Sequence, residues 1–381
     1  MPEIYDETHN LFREAFRDFA AAEMVPHFEK WEKAGIMDRE IYAKAGELGF
    51  VGFNLPESHG GGGSDDFRFN VVINEELQYA GLGGAGNGIT LVNDILAPYF
   101  IELSTAEQRD RWLPGLASGD LISAVAMTEP GTGSDLASIA TRAVRDGDEY
   151  VVNGAKTFIT NGINADLVVT VVRTDPDAGR HGLSLLVLER GMAGFDRGRN
   201  LDKIGQKSAD TAELFFSDVR VPVSNLLGDE GQAMEYLTGN LPQERLSLAI
   251  GGVAVAQAAL DWTVEYVKDR AAFGARIADF QNTKFVLAEC ESELAAARPY
   301  MADCVARHND GAFTAADAAK AKLWATELQG RITDKCLQLF GGYGFMTEYP
   351  ISLAYADARV ARIYGGTSEI MKTIIAKDLL Q

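Results

Sequence analysis

The period of the hydrophobic pattern changes twice along the chain, and that change restricts the fold more than any single motif. From residue 7 to about 118, "THNLFREAFRDFAAAEM" and "RFNVVINEELQYA" carry apolar residues three and four apart, broken at "PESHGGGGSDD". Between residues 120 and 227, "EYVVNGAKTFITNG", "DLVVTVVRT", "LSLLVLE" and "AELFFSDVRVP" are short β-branched or aromatic runs separated by Gly, Asn and Asp. From residue 230 helical spacing returns, with one helix covering "ERLSLAIGGVAVAQAALDWTVEYVKDR". An α, then β, then α order predicts segregated domains rather than a βαβ sheet. The expected fold is α+β: an all-α N-terminal domain (1–119), a middle antiparallel β domain (120–228) and a four-helix-bundle-like α domain (229–381).

Charge and cysteine usage exclude several classes of function. Thirty-five Lys plus Arg against 55 Asp plus Glu give a formal charge of -20, which repels nucleic acid and acidic lipid surfaces. An anionic ligand must therefore be held by local donors. Cys290, Cys304 and Cys336 form neither a CxxC pair nor an even framework, so they read as core thiols of a reducing compartment. His9, His27, His59, His181 and His308 show no metal-ligand spacing, and no metal is expected. The N-terminal "MPEIYDETHNLFREAF" lacks the basic start and apolar stretch of a secretion signal, and no apolar run reads as membrane-spanning. A cytoplasmic location without membrane insertion is the expectation.

One motif is a decoy. "GLGGAGNG" satisfies G-x-G-x-x-G with Gly81, Gly83 and Gly86. That dinucleotide fingerprint needs a preceding strand, whereas Gly81 follows the helical "NEELQYA".

The chemistry-bearing stretches are loops that mix glycines with hydroxyls. "AMTEPGTGSDLASIAT" (126–141) and "GAKTFITNG" (154–162) let a flat or phosphorylated ligand lie on the backbone, with Thr128, Ser134 and Thr160 as donors. In "RIYGGTSEIMKTII" (362–375), Thr367 or Ser368 can cap a helix, Glu369 suits the positive end of its dipole, and Gly365 and Gly366 leave two bare backbone positions before it. Together with "DRAAFG" (269–274) and "QLFGGYGF" (338–345), in this order and spacing, these stretches resemble the acyl-CoA dehydrogenase family over nearly the whole chain. "LPQERL", "YGGTSEIMK" and "EYPI" look most like its long-chain branch.

That resemblance implies an FAD enzyme that removes two hydrogens from an acyl-CoA thioester and passes electrons to an electron-transferring flavoprotein. By match to the family motifs, Met127, Thr128, Gly133, Ser134, Phe158 and Thr160 would meet the flavin half of the cofactor. Arg270, Phe273, Gln281, Gln338, Gly341 and Gly342 would hold its pyrophosphate and adenosine half, partly across an interface, which implies a homo-oligomer, typically a tetramer built as a dimer of dimers. Thr367 and Glu369 also match cofactor positions, and Ser134, Arg245, Gly365 and Gly366 match the substrate site. Phe158 stands where many relatives carry Trp. Small residues in "GLGGAGNG" either open the floor of the acyl pocket to a long or branched tail or form a surface loop.

Many relatives carry their catalytic base, a Glu, where this sequence has Gly365. The long-chain and isovaleryl branches place it instead at the Glu of an "ER" pair, here Glu244-Arg245. Glu244 is thus the expected base, and Gly365 keeps only a main-chain N–H for the thioester oxygen. Glu129 and Glu369 are the rival carboxylates, and Lys377 reads as a surface residue. An oxidase using dioxygen and a non-enzymatic flavin-binding or assembly homologue are the competing functions.

Overall fold

The computed structural model describes residues 4–380. Its N-terminal part is helical: α1 (Glu7–Phe19), α2 (Phe28–Ala34), α3 (Glu40–Glu47), α4 (Arg68–Tyr79), α5 (Gly83–Thr90), α6 (Ala97–Leu103) and α7 (Ala106–Ser118). Local chemistry sets the starts. The Asp6 carboxylate accepts from the N–H groups of Thr8 and His9 at 2.9 and 3.2 Å, and Thr105 with Gln108 forms a reciprocal capping box at α7. Phe16, Trp31, Tyr42, Phe50 and Ile73 fill the core between these helices.

A charge cluster fastens α1 to α4. Arg13 donates to Glu75 at 2.7 Å and to Glu76 at 2.6 Å, Arg17 donates to Glu76 at 2.8 Å, and Tyr5 donates to Glu75 at 2.9 Å. Both carboxylates are buried.

The middle part is an eight-stranded sheet of β1 (Ser123–Ala126), β2 (Arg142–Asp146), β3 (Glu149–Thr160), β4 (Leu167–Arg173), β5 (Leu183–Glu189), β6 (Phe195–Asn200), β7 (Thr211–Pro222) and β8 (Leu226–Leu227). The order is β6-β7-β3-β2-β4-β5-β8, with β1 added beside β4. The sheet is predominantly antiparallel, as expected, with two parallel contacts. β1 runs parallel to β4 from Ser123↔Leu167 to Ala126↔Thr170, and β2 touches β4 in parallel at Arg142↔Arg173. β1 enters from α7, so the helical domain rather than a hairpin sets its direction. Leu167 to Val172 of β4 are buried on both faces, which is why that strand reads as a continuous apolar run.

The C-terminal part is built on three long helices, α8 (Ala233–Asp269), α9 (Gln281–Asn309) and α10 (Ala315–Phe340), with the short α11 (Pro350–Ala358) and α12 (Ser368–Leu379) packed on α10. A two-residue-stranded hairpin, β9 (Ala271–Ala272) with β10 (Ala275–Arg276), joins α8 to α9. Small side chains let α8 and α10 approach closely: Ala249, Ala256 and Ala259 face Ala321 and Ala325 in one core, and a Cβ on Gly252 would lie 3.4 Å from the Ala325 carbonyl oxygen. By length and composition α8 is apolar enough to cross a membrane, which corrects the expectation that no segment reaches that length; 67% of its most apolar window is buried inside the protein.

"GLGGAGNG" is neither an open pocket floor nor a surface loop. Gly83 begins α5, and Gly84, Gly86 and Gly88 are buried because neighbours occupy the space of their side chains. A Cβ would meet Ser208 Oγ at Gly84 (2.7 Å), Leu77 Cδ1 at Gly86 (2.5 Å), and the Tyr42 hydroxyl at Gly88.

Arg13→Met should lower stability by about 3–5 kcal/mol in a urea titration, because it strips the shared cation from two buried carboxylates. A loss below about 1 kcal/mol would show that the remaining donors, Arg17 on Glu76 and Tyr5 on Glu75 among them, suffice to hold these carboxylates.

Candidate active site

The loop after β1 is anchored from beneath by a buried ion pair. Lys156, fully buried on β3, donates to the Met127 carbonyl and to Glu129 Oε1, both at 2.9 Å. Glu129 also accepts from the N–H groups of Thr141 (2.9 Å) and Ala140 (2.8 Å). Burial pushes Glu129 up, but these hydrogen bonds and the Lys156 charge outweigh it and hold the carboxyl below its ordinary range. Burial also lowers Lys156 to about 8, against the pull of Glu129. A carboxylate with its lone pairs so fully used is a strut, which removes Glu129 as a rival base. The N–H of Thr157 bonds the Thr128 carbonyl at 2.9 Å, so the loop carrying Met127 and Thr128 is stitched to β3. Gly133 and Ser134 lie further out on this loop and are exposed.

β3 itself is irregular between Lys156 and Ile159. In that bulge Phe158 adopts φ +60° and is 68% exposed. Left-handed backbone is strained for an aromatic residue, and a displayed ring held that way marks a surface built for contact. Thr160 follows at the end of the strand, paired with Thr211. An exposed ring flanked by the anchored Met127–Thr128 loop and the Thr160 hydroxyl fits a flat heterocycle with polar edges, as an isoalloxazine has.

Glu244 sits on α8 two residues after Pro242, where the helix lacks one backbone N–H. Neighbouring elements fasten this weakened stretch. Gln243 donates to the Asp94 carbonyl at 2.6 Å, Ser247 donates to Asp94 Oδ2 at 2.5 Å, and Asp94 further accepts from Asn70 and Asn74 at 2.7 and 2.8 Å. Asp94 lies in a π-helical turn, Leu91–Leu96, and burial lifts its carboxyl to about 6 despite these bonds. One residue thus grips α8 on both sides of Glu244.

The Glu244 carboxyl is 8% exposed, and among the described residues it accepts no hydrogen bond. Burial raises its pKa, while the Arg245 and Lys322 charges pull the other way. A dry carboxylate with uncommitted lone pairs is what a general base requires.

The two-glycine turn lies against it. Gly365 and Gly366 have φ of +60° and +96°. Arg245 Nε donates to the Gly365 carbonyl at 3.1 Å and Lys322 Nζ to the Gly366 carbonyl at 2.7 Å. Among the described residues the Gly365 N–H has no acceptor. A Cβ placed on Gly365 would lie 3.7 Å from Glu244 Oε1 and 2.5 Å from Leu248 Cδ1. Position 365 and the Glu244 carboxylate therefore address the same small volume. Thr367 caps α12, accepting from the Ile370 N–H at 3.3 Å, and Ser368 donates to Glu327 at 2.9 Å. Glu369 is exposed in the first turn of α12, held below its ordinary range chiefly by its own backbone N–H and Thr367. Lys377 is exposed.

The remaining expected cofactor residues gather elsewhere. Arg270 and Phe273 lie on the β9–β10 hairpin, Gln281 opens α9, and Gln338, Gly341 and Gly342 close α10. Phe273 is 99% exposed with φ +56°, and the Arg270 guanidinium lies 5.3 Å over the Tyr343 ring. Glu244 and Arg270 are 26 residues apart along α8, roughly 39 Å at 1.5 Å per residue. The chain does not bring this set together with Glu244. Phe280, Phe285, Phe345 and Met346 are exposed in the same segments.

Lys322, Lys156 and Asp94 are site residues that the sequence reading missed. For Lys322 a signal existed: "DAAKAKLWATEL" puts a lysine among alanines at the spacing of a buried face.

Comparison with known proteins gives this geometry its context. Models of the acyl-CoA dehydrogenase N-terminal, middle and C-terminal domains match residues 6–120, 124–219 and 231–380. The chain is 44% identical to the mitochondrial long-chain specific acyl-CoA dehydrogenase of Sus scrofa, over 99% of this chain and 87% of that protein. It superposes on the acyl-CoA dehydrogenase of Geobacillus kaustophilus with a TM-score of 0.96 and 49% identity, covering 98% of both chains. A chain of the structure described as electron transferring flavoprotein of Acidaminococcus fermentans gives a TM-score of 0.93 and 35% identity over 100% of each. The chain belongs to the acyl-CoA dehydrogenase family of FAD-dependent oxidoreductases that act on CH–CH donors.

Proposed function

We propose that this protein converts a long-chain or branched acyl-CoA to the trans-2-enoyl-CoA, with Glu244 as the base, and delivers the electrons to an electron-transferring flavoprotein. The observation that carries the reading is the 3.7 Å between Glu244 Oε1 and the side-chain position of Gly365. The carboxylate stands where the base of many relatives would reach from the other element.

The α-hydrogen of a thioester is weakly acidic, so the acceptor must be dry and ionised at once. Burial of Glu244 supplies the first condition, and Arg245 with Lys322 supplies the second. As the α-proton passes to Glu244, charge grows on the thioester oxygen. The Gly365 N–H, which has no acceptor among the described residues, is the donor for that oxygen, and loss of one such donor typically costs about 3 kcal/mol of barrier. Bound FAD supplies the two-electron acceptor for the β-hydride. On this chain Phe158, Thr128 and Thr160 would hold its ring, and the Lys156–Glu129 pair keeps their loop in place.

The pyrophosphate-binding set at the far end of α8 supports a homo-oligomer. Two groups of residues separated by most of a long helix serve one cofactor when a second copy lends its hairpin, and the exposed Phe273 fits that role. A tetramer, as a dimer of dimers, is the assembly we propose. The buried thiols Cys290, Cys304 and Cys336 support a reducing, cytoplasmic compartment. The preference for long or branched chains rests on likeness to the long-chain enzyme and on the position of the base.

Glu244→Gln should retain the yellow cofactor yet lose about 10²–10⁴-fold in the rate of anaerobic flavin bleaching. A panel of acyl-CoAs of varied length and branching identifies the substrate in the same assay, and substantial residual bleaching refutes the base assignment. Peroxide release without an acceptor protein would instead mark an oxidase.

In the unaltered enzyme kcat/KM should rise with pH through a pKa above the ordinary carboxylate value, since the base acts only when deprotonated and burial raises its pKa. An ascending limb at or below about 4.3 contradicts this.

The third expectation reverses the relocation. Gly365→Glu with Glu244→Gly should recover activity only when Leu248→Ala is added, because Leu248 Cδ1 lies 2.5 Å from the new Cβ. Silence with every chain length counts against a shared address.

A further inference from the structure

Lys322 is the least expected side chain beside the base. Its ammonium is fully buried on α10, and its one hydrogen bond among the described residues goes to the Gly366 carbonyl at 2.7 Å. No carboxylate among the described residues lies within the 4.0 Å of an ion pair with it. Removing an ammonium from water without a paired anion is strongly unfavourable, and an apolar residue would suit its alanine-rich surroundings better. A lysine that persists in such a place is explained by what its charge does there.

We propose that Lys322 is a positioning residue for the reaction, which fixes the Gly365–Gly366 turn through the Gly366 carbonyl and supplies the positive charge that keeps Glu244 ionised in its dry site. This rests on the reading of Glu244 as the base. The two carbonyls of the turn are drawn toward cations from different helices, Arg245 of α8 and Lys322 of α10. Their engagement holds the turn in a conformation in which the Gly365 N–H has no acceptor among the described residues.

The electrostatics point the same way. Glu244 is faced by Arg245 on its own helix, Lys322 on α10, Tyr99 on α6 and Tyr364 in the segment before α12. Tyr99 is buried and Tyr364 half-buried, and both phenols are raised above their ordinary value and neutral at physiological pH. Among the described residues, the two cations are therefore the charges that offset burial of the carboxylate. Lys322 in turn is pushed down to about 8, by burial first and then by Arg245, with Glu244, Glu327 and Glu369 pulling upward. It is charged at neutral pH.

The test follows the protonation of Glu244 in the holoenzyme in two ways. One is the infrared carboxyl band that disappears in Glu244→Gln, recorded against pH. The other is the single-turnover rate of flavin reduction by an acyl-CoA identified in the panel above. Lys322→Met should move the midpoint of the band upward by about one unit, which leaves flavin reduction about tenfold slower below the new midpoint, with much of the rate returning on its alkaline side. Lys322→Arg, which keeps the charge, should leave the midpoint in place. If Lys322→Met does not fold, Lys322→Gln, which keeps a donor for Gly366 without the charge, carries the same expectation. An unmoved midpoint, with the rate lowered by one factor at every pH, overturns the proposal and leaves Lys322 a packing residue. The band titration separates the two hypotheses: a wild-type protein that no acyl-CoA reduces defeats the base reading, whereas the band still reports whether Lys322 sets the ionisation of Glu244.

Discussion

The site depends on keeping one carboxylate both dry and charged. These demands oppose each other, since burial favours the neutral acid. Here they are reconciled by cations that are themselves buried and are occupied with backbone carbonyls rather than with the carboxylate. Arg245 and Lys322 spend hydrogen bonds on the Gly365–Gly366 turn and act on Glu244 through space. A direct salt bridge would lower the pKa further but would tie up the oxygen that must receive the proton. The close approach of α8 and α10 makes the compromise possible. Small side chains along their contact bring Lys322 of one helix near Glu244 of the other.

The same device recurs on the sheet side of the site. Lys156 is as buried as Lys322, but it meets a carboxylate directly, and Glu129 is further saturated by two backbone N–H groups. The difference in partner corresponds to a difference in task. Glu129 and Lys156 are struts under a loop whose carbonyls and hydroxyls have to stay in register with β3. Glu244, as the proposed base, has to stay reactive, and nothing among the described residues bonds to it. Of the two buried acids in the final contest for the base, hydrogen-bond satisfaction separates them, and charge or burial alone would not.

Much of this was legible in the residues. The switch from helical to alternating spacing and back marked the three parts, and the "ER" pair with "YGGTSEI" pointed to the two elements that the structure brings together at Glu244 and Gly365. What escaped reading shares a physical cause: contacts between residues far apart in sequence. A lysine normally advertises solvent, so Lys156 and Lys322 gave little local sign that each is enclosed. Gly84, Gly86 and Gly88 read as either an open pocket floor or a surface loop, yet they lie in α5, where Ser208, Leu77 and Tyr42 fill the space that side chains there would need. The parallel pairing of β1 could not be read either, since strand direction there is set by the preceding helix and the register on β4. Asp94 looked like one acid among many. Only its position between α4 and α8 makes it a clamp.

The relocation of the base that we propose has a simple geometric reason to be tolerated. A proton acceptor is defined by where an oxygen stands, and here α8 and the turn before α12 converge on that point. Once α8 supplies the oxygen, a side chain at 365 is excess volume, and Leu248 takes the space it leaves. With no Cβ at either glycine, the turn is free to adopt left-handed dihedrals at both positions, a geometry that a glutamate at 365 would hold only under strain. Those dihedrals let the two carbonyls reach Arg245 and Lys322 while the Gly365 N–H has no acceptor among the described residues. On the proposed reading, a carboxylate supplied by α8 leaves the turn to main-chain hydrogen bonding, and the cations that hold the turn are the same ones that favour the ionised form of Glu244.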